Sequence, residues 1–249
     1  MGTIFNRLKL IYIIYQIVGI YYSLGICSAQ DVSAFFVFGD SLVDAGNNYF
    51  INIMIKSEYP NGIDFAKGSP SRRYTNGRTV PDIIGEELGF KDYSPPYLDP
   101  TTTGEVILKG VNYGCFGSGI LNSTGYIFGQ HIGMSEQVDN FAKTRQEIIS
   151  RIGEAAAKQL LRQALYFVVI GANDISARLI SPSNSFYYLD KMISQFRSQL
   201  TDLRVQMLAV ERWGGMVVYP SVAAPSAIFV KIESNIFSGI NTIHQKPLI

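Results

Sequence analysis

The sequence is poor in the residues that bind metal ions and form cross-links. Its 249 residues include two histidines, two cysteines and one tryptophan. So few nitrogen and sulfur ligands, placed far apart, predict neither a metal site nor a bound cofactor. An excess of charge of one sign is also lacking. The formal net charge is +1 and no basic stripe is present, which argues against a nucleic-acid partner.

Long apolar runs are scarce, and the one that stands out lies at the amino terminus. Two basic residues precede an apolar run over residues 10–26, and small residues follow at 27–29. This layout predicts a signal peptide over residues 1–29 and a secreted, extracellular, monomeric domain over residues 30–249. The alternative is a signal anchor, because the run approaches the length of a membrane span. Cleavage would leave Cys115 as the sole thiol, which excludes an internal disulfide.

One N-glycosylation sequon is present, Asn122-Ser123-Thr124. On a secreted protein it predicts a surface glycan at Asn122. Sequons also arise by chance, so an unmodified Asn122 is the alternative.

A short apolar run, Phe35 to Phe38, is typical of a buried strand and leads into a tight polar loop. Gly39 permits a sharp exit, and Ser41 follows just past the strand end. Open α/β sheets bind ligands at this edge. A serine hydroxyl needs a base before it acts as a nucleophile, so the plain alternative is a turn that happens to contain Gly-Asp-Ser.

Two further strand ends carry polar or glycine-rich loops. A short strand opens into the glycine-rich stretch 110–120, and the clearest buried strand, 164–170, runs into Gly171-Ala172-Asn173-Asp174, which we interpret as a polar loop. Strands that alternate with helices indicate a parallel sheet covered on both faces. We predict helices at 81–88, 135–149, 154–162 and 186–203, and a last strand at 215–219. Arg78 is expected to pair with Asp82 in the first helix, and Ser135 is the expected cap of the second.

Together these loops suit acyl transfer. Ser41 supplies a hydroxyl and its own N–H, the glycine-rich loop supplies a second backbone N–H, and Asn173 supplies a side-chain amide donor. The alternatives are a phosphate cradle for the glycine-rich loop and a turn-capping role for Asn173.

At these residues the chain resembles the plant GDSL-type esterase/lipase family, within the SGNH hydrolase superfamily. Residues 36–48 (Phe-Val-Phe-Gly-Asp-Ser-Leu-Val-Asp-Ala-Gly-Asn-Asn) are similar to that family's first block, residues 111–121 to the second and residues 170–174 to the third. The resemblance covers roughly residues 34–203. It implies a flavodoxin-like three-layer α/β/α fold with a mainly parallel sheet.

The resemblance also implies roles for single residues. Ser41 would be the nucleophile, and the oxyanion hole would consist of Ser41 N–H, Gly117 N–H and the Asn173 side chain. Phe116 stands where many members of the family carry glycine or alanine, so this loop is expected to be shaped differently here.

The sequence departs from the family's pattern after about residue 203. The family takes its base and orienting acid from a C-terminal Asp-x-x-His block. Here Asn241-Thr242-Ile243-His244 has that spacing with asparagine in place of the acid. His244 is therefore the candidate base, and a loosely ordered tail histidine is the alternative. We interpret the other histidine, His131, as a surface residue.

These observations leave three hypotheses. The first is a secreted serine ester hydrolase that cleaves lipid or other acyl esters through an acyl-Ser41 intermediate. The second is a non-catalytic protein that keeps the ester pocket without the base. The third is a truncated remnant of the family, incomplete at its C-terminus.

Overall fold

The computed structural model describes residues 32–65, 72–180, 185–207 and 216–220. Within them, three parallel strands form one sheet in the order β1-β2-β3. The strands are β1 (Phe35–Gly39), β2 (Leu165–Ile170) and β3 (Met216–Pro220). The register pairs Gly39 with Val169 and Ile170 with Pro220, so the carboxyl ends of all three strands meet at one edge. The strands predicted at 35–38, 164–170 and 215–219 are confirmed. The short strand predicted at the start of 110–120 is wrong, since that segment forms only isolated bridges, of Asn112 with Val37 and with Pro96.

Helices connect and cover the strands. The described residues form α1 (Val80–Glu87), α2 (Met134–Ile152), α3 (Glu154–Arg162), α4 (Ala172–Ile180) and α5 (Ser185–Gln206). Short 3₁₀ turns lie at Asn47–Phe50, Val106–Lys109 and Tyr126–Phe128. In these described ranges, no helix combines the length and the apolarity that a bilayer crossing needs.

Side chains of β1 alternate between two apolar layers, as the period of a strand requires. Phe36 and Phe38 join the larger core, where both rings pack edge-on against Phe141 of α2, with centroid distances of 5.2 and 5.8 Å. Phe35 and Val37 point to the opposite face and join a smaller core.

The smaller core is covered from the side of α1. Ile84 of α1 packs against it, and Phe90 stacks on Phe35 at a centroid distance of 6.5 Å. Helices α2, α3 and α5 contribute to the larger core on the other face. Since helices lie on both faces of a parallel sheet, the predicted three-layer α/β/α fold is confirmed.

Three further local predictions were wrong. Helix α2 begins at Met134 with Gly133 as N-cap, so Ser135 lies inside the first turn and its hydroxyl donates to Asn122 Oδ1. Asp82 does not pair with Arg78, which bonds Glu86 instead. The stretch after β2 is not a loop, because helix α4 starts at once.

Asp82 pairs with Arg73, a residue nine positions away. Arg73 Nε and Nη2 each lie 2.7 Å from a different Asp82 oxygen, and both side chains are almost fully buried. The Thr79 N–H and hydroxyl donate to Asp82 Oδ2, which ties the start of α1 to this ion pair.

Candidate active site

Ser41 lies in a tight loop directly after β1. The Asp40 carbonyl accepts hydrogen bonds from Val43 N–H (3.2 Å) and Asp44 N–H (3.1 Å), and Asp40 Oδ1 accepts one from Leu42 N–H (3.0 Å). This winding places half-buried Ser41 at the tip of the turn. Among the described residues, neither the N–H nor the hydroxyl of Ser41 has a hydrogen-bond partner.

The strand exit before Ser41 has no space for a side chain. Gly39 has φ +148°, and a Cβ there would lie 2.0 Å from the Val169 carbonyl oxygen on β2. Gln137 of α2 clamps both polar groups of this glycine: its Oε1 accepts from Gly39 N–H and its Nε2 donates to Gly39 O, each at 2.8 Å. Cys115 N–H also donates to Gly39 O, at 3.0 Å. The exit from β1 is therefore fixed by the sheet, by a helix and by the glycine-rich segment.

Gly117 occupies the third position of a β-turn. The turn runs from Cys115 to Ser118, whose N–H donates to Cys115 O at 3.2 Å. Gly117 has φ +77°, the left-handed value that a type II turn needs at this position. A Cβ on Gly117 would lie 3.1 Å from the Phe128 ring. In the described part of the chain, the Gly117 N–H has no hydrogen-bond partner.

Asn173 lies in the first turn of α4, three residues past the end of β2. Its Nδ2 donates to the Ser118 carbonyl at 2.8 Å. Because an amide nitrogen carries two hydrogens, the second N–H remains available beside the Gly117 turn. The structure thus brings Asn173 to the glycine-rich turn, as the shared sheet edge predicts.

Three buried carboxyl groups lie at the same edge: Asp40, Asp44 and Asp174. Burial raises the pKa of Asp40 to about 6, and the charges of Asp174 and Asp44 act in the same direction. Asp40 Oδ2 is buried without a hydrogen-bond partner within the described residues. Burial also raises the pKa of Asp44 to about 6, against four hydrogen bonds that lower it.

Of the two histidines, His131 lies within the described residues and His244 does not. His131 is half-buried, its Nδ1 lies 3.3 Å from the Gly129 carbonyl, and its ring contacts Tyr126 edge-on. His244 and Asn241 lie outside the described residues. Among the described residues, no group of three or more metal-ligating side chains is assembled.

Comparison with known families shows which family the chain belongs to. Residues 35–232 match the model of the GDSL-like lipase/acylhydrolase family. The chain belongs to this family. The match includes Ser41 and Asn173, which follow neighbouring strands, and Gly117, whose turn hydrogen-bonds to Gly39 and to Asn173.

Curated GDSL relatives come from Arabidopsis thaliana. One GDSL esterase/lipase is 51% identical over 189 residues, which cover 72% of this chain and 51% of the relative. A second is 44% identical over 196 residues, covering 72% and 52%. A third is 46% identical over 160 residues, covering 63% and 43%. The chain thus spans about half the length of the curated relatives it matches.

Sequence reasoning missed Gln137 as a residue of this GDSL site. It is fully buried and on the core side of α2, between the buried Met134 and Phe141. The available signal was a polar residue at a helical position whose neighbours at i−3 and i+4 are apolar. A buried glutamine must bond other groups, and here these are the backbone groups of Gly39.

Proposed function

We propose that this chain carries the nucleophile and oxyanion hole of a secreted serine ester hydrolase that acts on lipid or other acyl esters. The observation that supports this most is that the N–H groups of Ser41 and Gly117, in neighbouring loops, have no hydrogen-bond partner among the described residues. Buried backbone N–H groups such as that of Gly117 are seldom unpaired, and two backbone N–H donors in the loops around a serine suit a developing oxyanion.

The reaction divides the ester in two steps. Ser41 Oγ attacks the carbonyl carbon, and the oxyanion receives N–H donors from Ser41, Gly117 and Asn173 Nδ2. The C–O bond to the alcohol then breaks, and the hydroxyl proton passes through the base to the leaving alkoxide. Water attacks the acyl-serine by the same route, which releases the acid and restores the hydroxyl.

We assign the base to His244 on the spacing Asn241-x-x-His244. An acid at the first position would fix the histidine tautomer and stabilise the imidazolium, and asparagine does neither well. We therefore expect a slow nucleophile. The oxyanion hole and substrate binding alone leave roughly 10³–10⁴-fold catalysis over water in serine hydrolases that lack triad members.

The test is covalent labelling of the full chain, expressed in a secretory eukaryotic host, with a fluorophosphonate. Ser41 Oγ forms the bond to phosphorus and fluoride leaves. We expect slow labelling that peptide mapping places on Ser41, loss of labelling in Ser41→Ala, and a further decrease in His244→Ala. Ser150→Ala is the matched control, because Ser150 is exposed on α2.

Two outcomes would refute the role of Ser41. Labelling that persists in Ser41→Ala would move the nucleophile elsewhere. A folded protein that does not label at all would favour the non-catalytic binding protein over the hydrolase. Unchanged labelling in His244→Ala would reject His244 as base, and His131→Ala would then be the next variant.

We also propose that residues 1–29 are removed as a signal peptide and that Asn122 carries a glycan. Asn122 is exposed, and its Oδ1 accepts hydrogen bonds from Ser135 Oγ (3.1 Å) and Gln195 Nε2 (2.9 Å), which is compatible with a sugar on its nitrogen. Secreted protein should begin at Gln30 by amino-terminal sequencing. It should lose mass on N-glycanase treatment, and Asn122→Gln should not.

A further inference from the structure

Buried carboxylates hold the glycine-rich segment on both sides of Gly117. Before Gly117, Phe116 N–H donates to Asp44 Oδ2 at 2.9 Å. After it, Ile120 N–H and Leu121 N–H donate to the two oxygens of Asp174, each at 2.9 Å. The proposed function gives no role to either carboxylate.

Each carboxylate also belongs to a second segment of the site, the nucleophile loop for Asp44 and helix α4 for Asp174. Asp44 is three residues beyond Ser41, and its N–H bonds the Asp40 carbonyl in the nucleophile loop. Asp174 directly follows Asn173. The two contacts therefore join the oxyanion turn to the nucleophile loop on one side and to the amide donor on the other.

The Asp44 carboxylate has no spare oxygen. Its Oδ1 accepts from Gly46 N–H (2.7 Å) and Asn47 N–H (2.8 Å), and its Oδ2 accepts from Asn48 Nδ2 (3.0 Å) in addition to Phe116 N–H. The residue is fully buried. An asparagine here would place an NH₂ group against two donors whichever way it was turned, so only a carboxylate fits this set.

Both oxygens of Asp174 also accept hydrogen bonds. Besides the two backbone N–H groups, its Oδ1 accepts from Thr124 Oγ1 at 2.7 Å, and the side chain is fully buried. The segment also passes too close for any bulk: a Cβ on Gly119 would lie 2.8 Å from Asp174 Oδ1. The backbone therefore lies directly on this carboxylate.

We propose that Asp44 and Asp174 are positioning residues that fix the Gly117 N–H toward the oxyanion of an ester bound at Ser41. This rests on the proposed function. A free N–H is useful to an oxyanion only if the turn that carries it is held in place beforehand. Binding the N–H groups before and after Gly117 holds the turn, while the Gly117 N–H has no partner in the described part of the chain.

The test uses the full chain labelled with ¹⁵N-glycine, with the Gly117 amide signal assigned from Gly117→Ala. Asp44→Asn and Asp174→Asn are compared with Asp82→Asn, which removes another buried carboxylate, from the ion pair at α1. We expect the Gly117 signal to move or broaden in the first two variants and to stay in place in Asp82→Asn.

Labelling of Ser41 by a fluorophosphonate is the second readout. Displacing one oxyanion donor costs on the order of 10²–10³-fold in serine hydrolases, and we expect a decrease of at least about tenfold in Asp44→Asn and Asp174→Asn. Asp82→Asn should label at the wild-type rate while folded. If Asp44→Asn does not fold, Asn48→Ala takes its place: it removes one donor to Asp44 without touching the carboxylate, and it should move the Gly117 signal more than Asp82→Asn does.

The outcomes separate the two proposals. A Gly117 signal that does not move, or moves equally in Asp82→Asn, overturns the positioning role. A moved signal with unchanged labelling of Ser41 also overturns it. If the wild-type chain does not label, the hydrolase proposal fails, and the Gly117 signal still decides whether the two carboxylates hold that turn.

Discussion

Replacing Gln137 with methionine should lower the free energy of unfolding by more than the similar volumes of the two side chains suggest. Methionine fills the same space and favours helix equally, but it makes none of the three hydrogen bonds of the glutamine. Gly39 N–H is left buried and unpaired, at about 1–3 kcal/mol. The Gly39 and Ile132 carbonyls keep Cys115 N–H and Ser118 Oγ, so each loses about 0.5–1.5 kcal/mol. The sum is about 2–6 kcal/mol.

Urea unfolding at pH 7, followed by far-UV circular dichroism, measures this loss. Gln146→Met is the matched control because Gln146 is exposed on the same helix, and it should stay within about 0.5 kcal/mol of the wild type. Gln137→Glu should be less stable than Gln137→Met at pH 7 and should recover on acidification, since only the protonated acid can donate to a carbonyl. A Gln137→Met variant as stable as Gln146→Met would refute the clamp on the strand exit.

Three further predictions concern other buried polar positions. Arg73→Lys keeps the charge but loses the two-point contact with its carboxylate, and should lower the free energy of unfolding by about 2 kcal/mol, whereas exposed Arg151→Lys should change it by less than about 0.5 kcal/mol. Asp40 has its pKa raised from 3.8 to about 6, so the folded state binds its proton more tightly and this group's contribution to stability falls as pH rises from about 4 to 6. Asp40→Asn should therefore gain up to about 3 kcal/mol over the wild type at pH 8 and nothing at pH 4, by urea unfolding. Gly117 and Gly153 both have φ near +80°, so alanine is strained at either position. Only at Gly117 would the new Cβ meet a side chain, the Phe128 ring, so only Gly117→Ala should slow fluorophosphonate labelling.

The strand ends were predictable because each carries a strong local signal. Short apolar runs rich in β-formers predict β1 and β2, and the parallel topology then places the residues just after each strand at one edge. This is enough to bring Asn173 to the glycine-rich turn. The type of the segment after β2 was not predictable in the same way, since asparagine and aspartate directly after a strand are typical of loops and also occur at the start of a helix.

Contacts between distant segments were the part that sequence patterns did not reveal. A pair between Arg78 and Asp82 satisfies the i, i+4 rule, which contributes only about 0.2–0.5 kcal/mol on an exposed helix. The bidentate contact of Asp82 with Arg73 is buried and wins over it. Gln137 was hidden for a related reason: its partners on Gly39 are 98 residues away, and periodicity reports which face a residue occupies but not what it bonds.

The three buried carboxyl groups at this edge differ in what they contribute: one lowers stability, and the other two hold the geometry of the site. Within the described residues, one oxygen of Asp40 has no partner, so its negative charge costs stability. An asparagine can replace Asp40 without losing the bond to Leu42. Asp44 uses both oxygens for four donors and Asp174 uses both for three, so neither can change without releasing backbone N–H groups near Gly117. An apolar replacement would remove the cost of burying charge, but it would also remove the contacts that hold the turn. We therefore expect stabilising substitutions to be found at Asp40 and not at the other two.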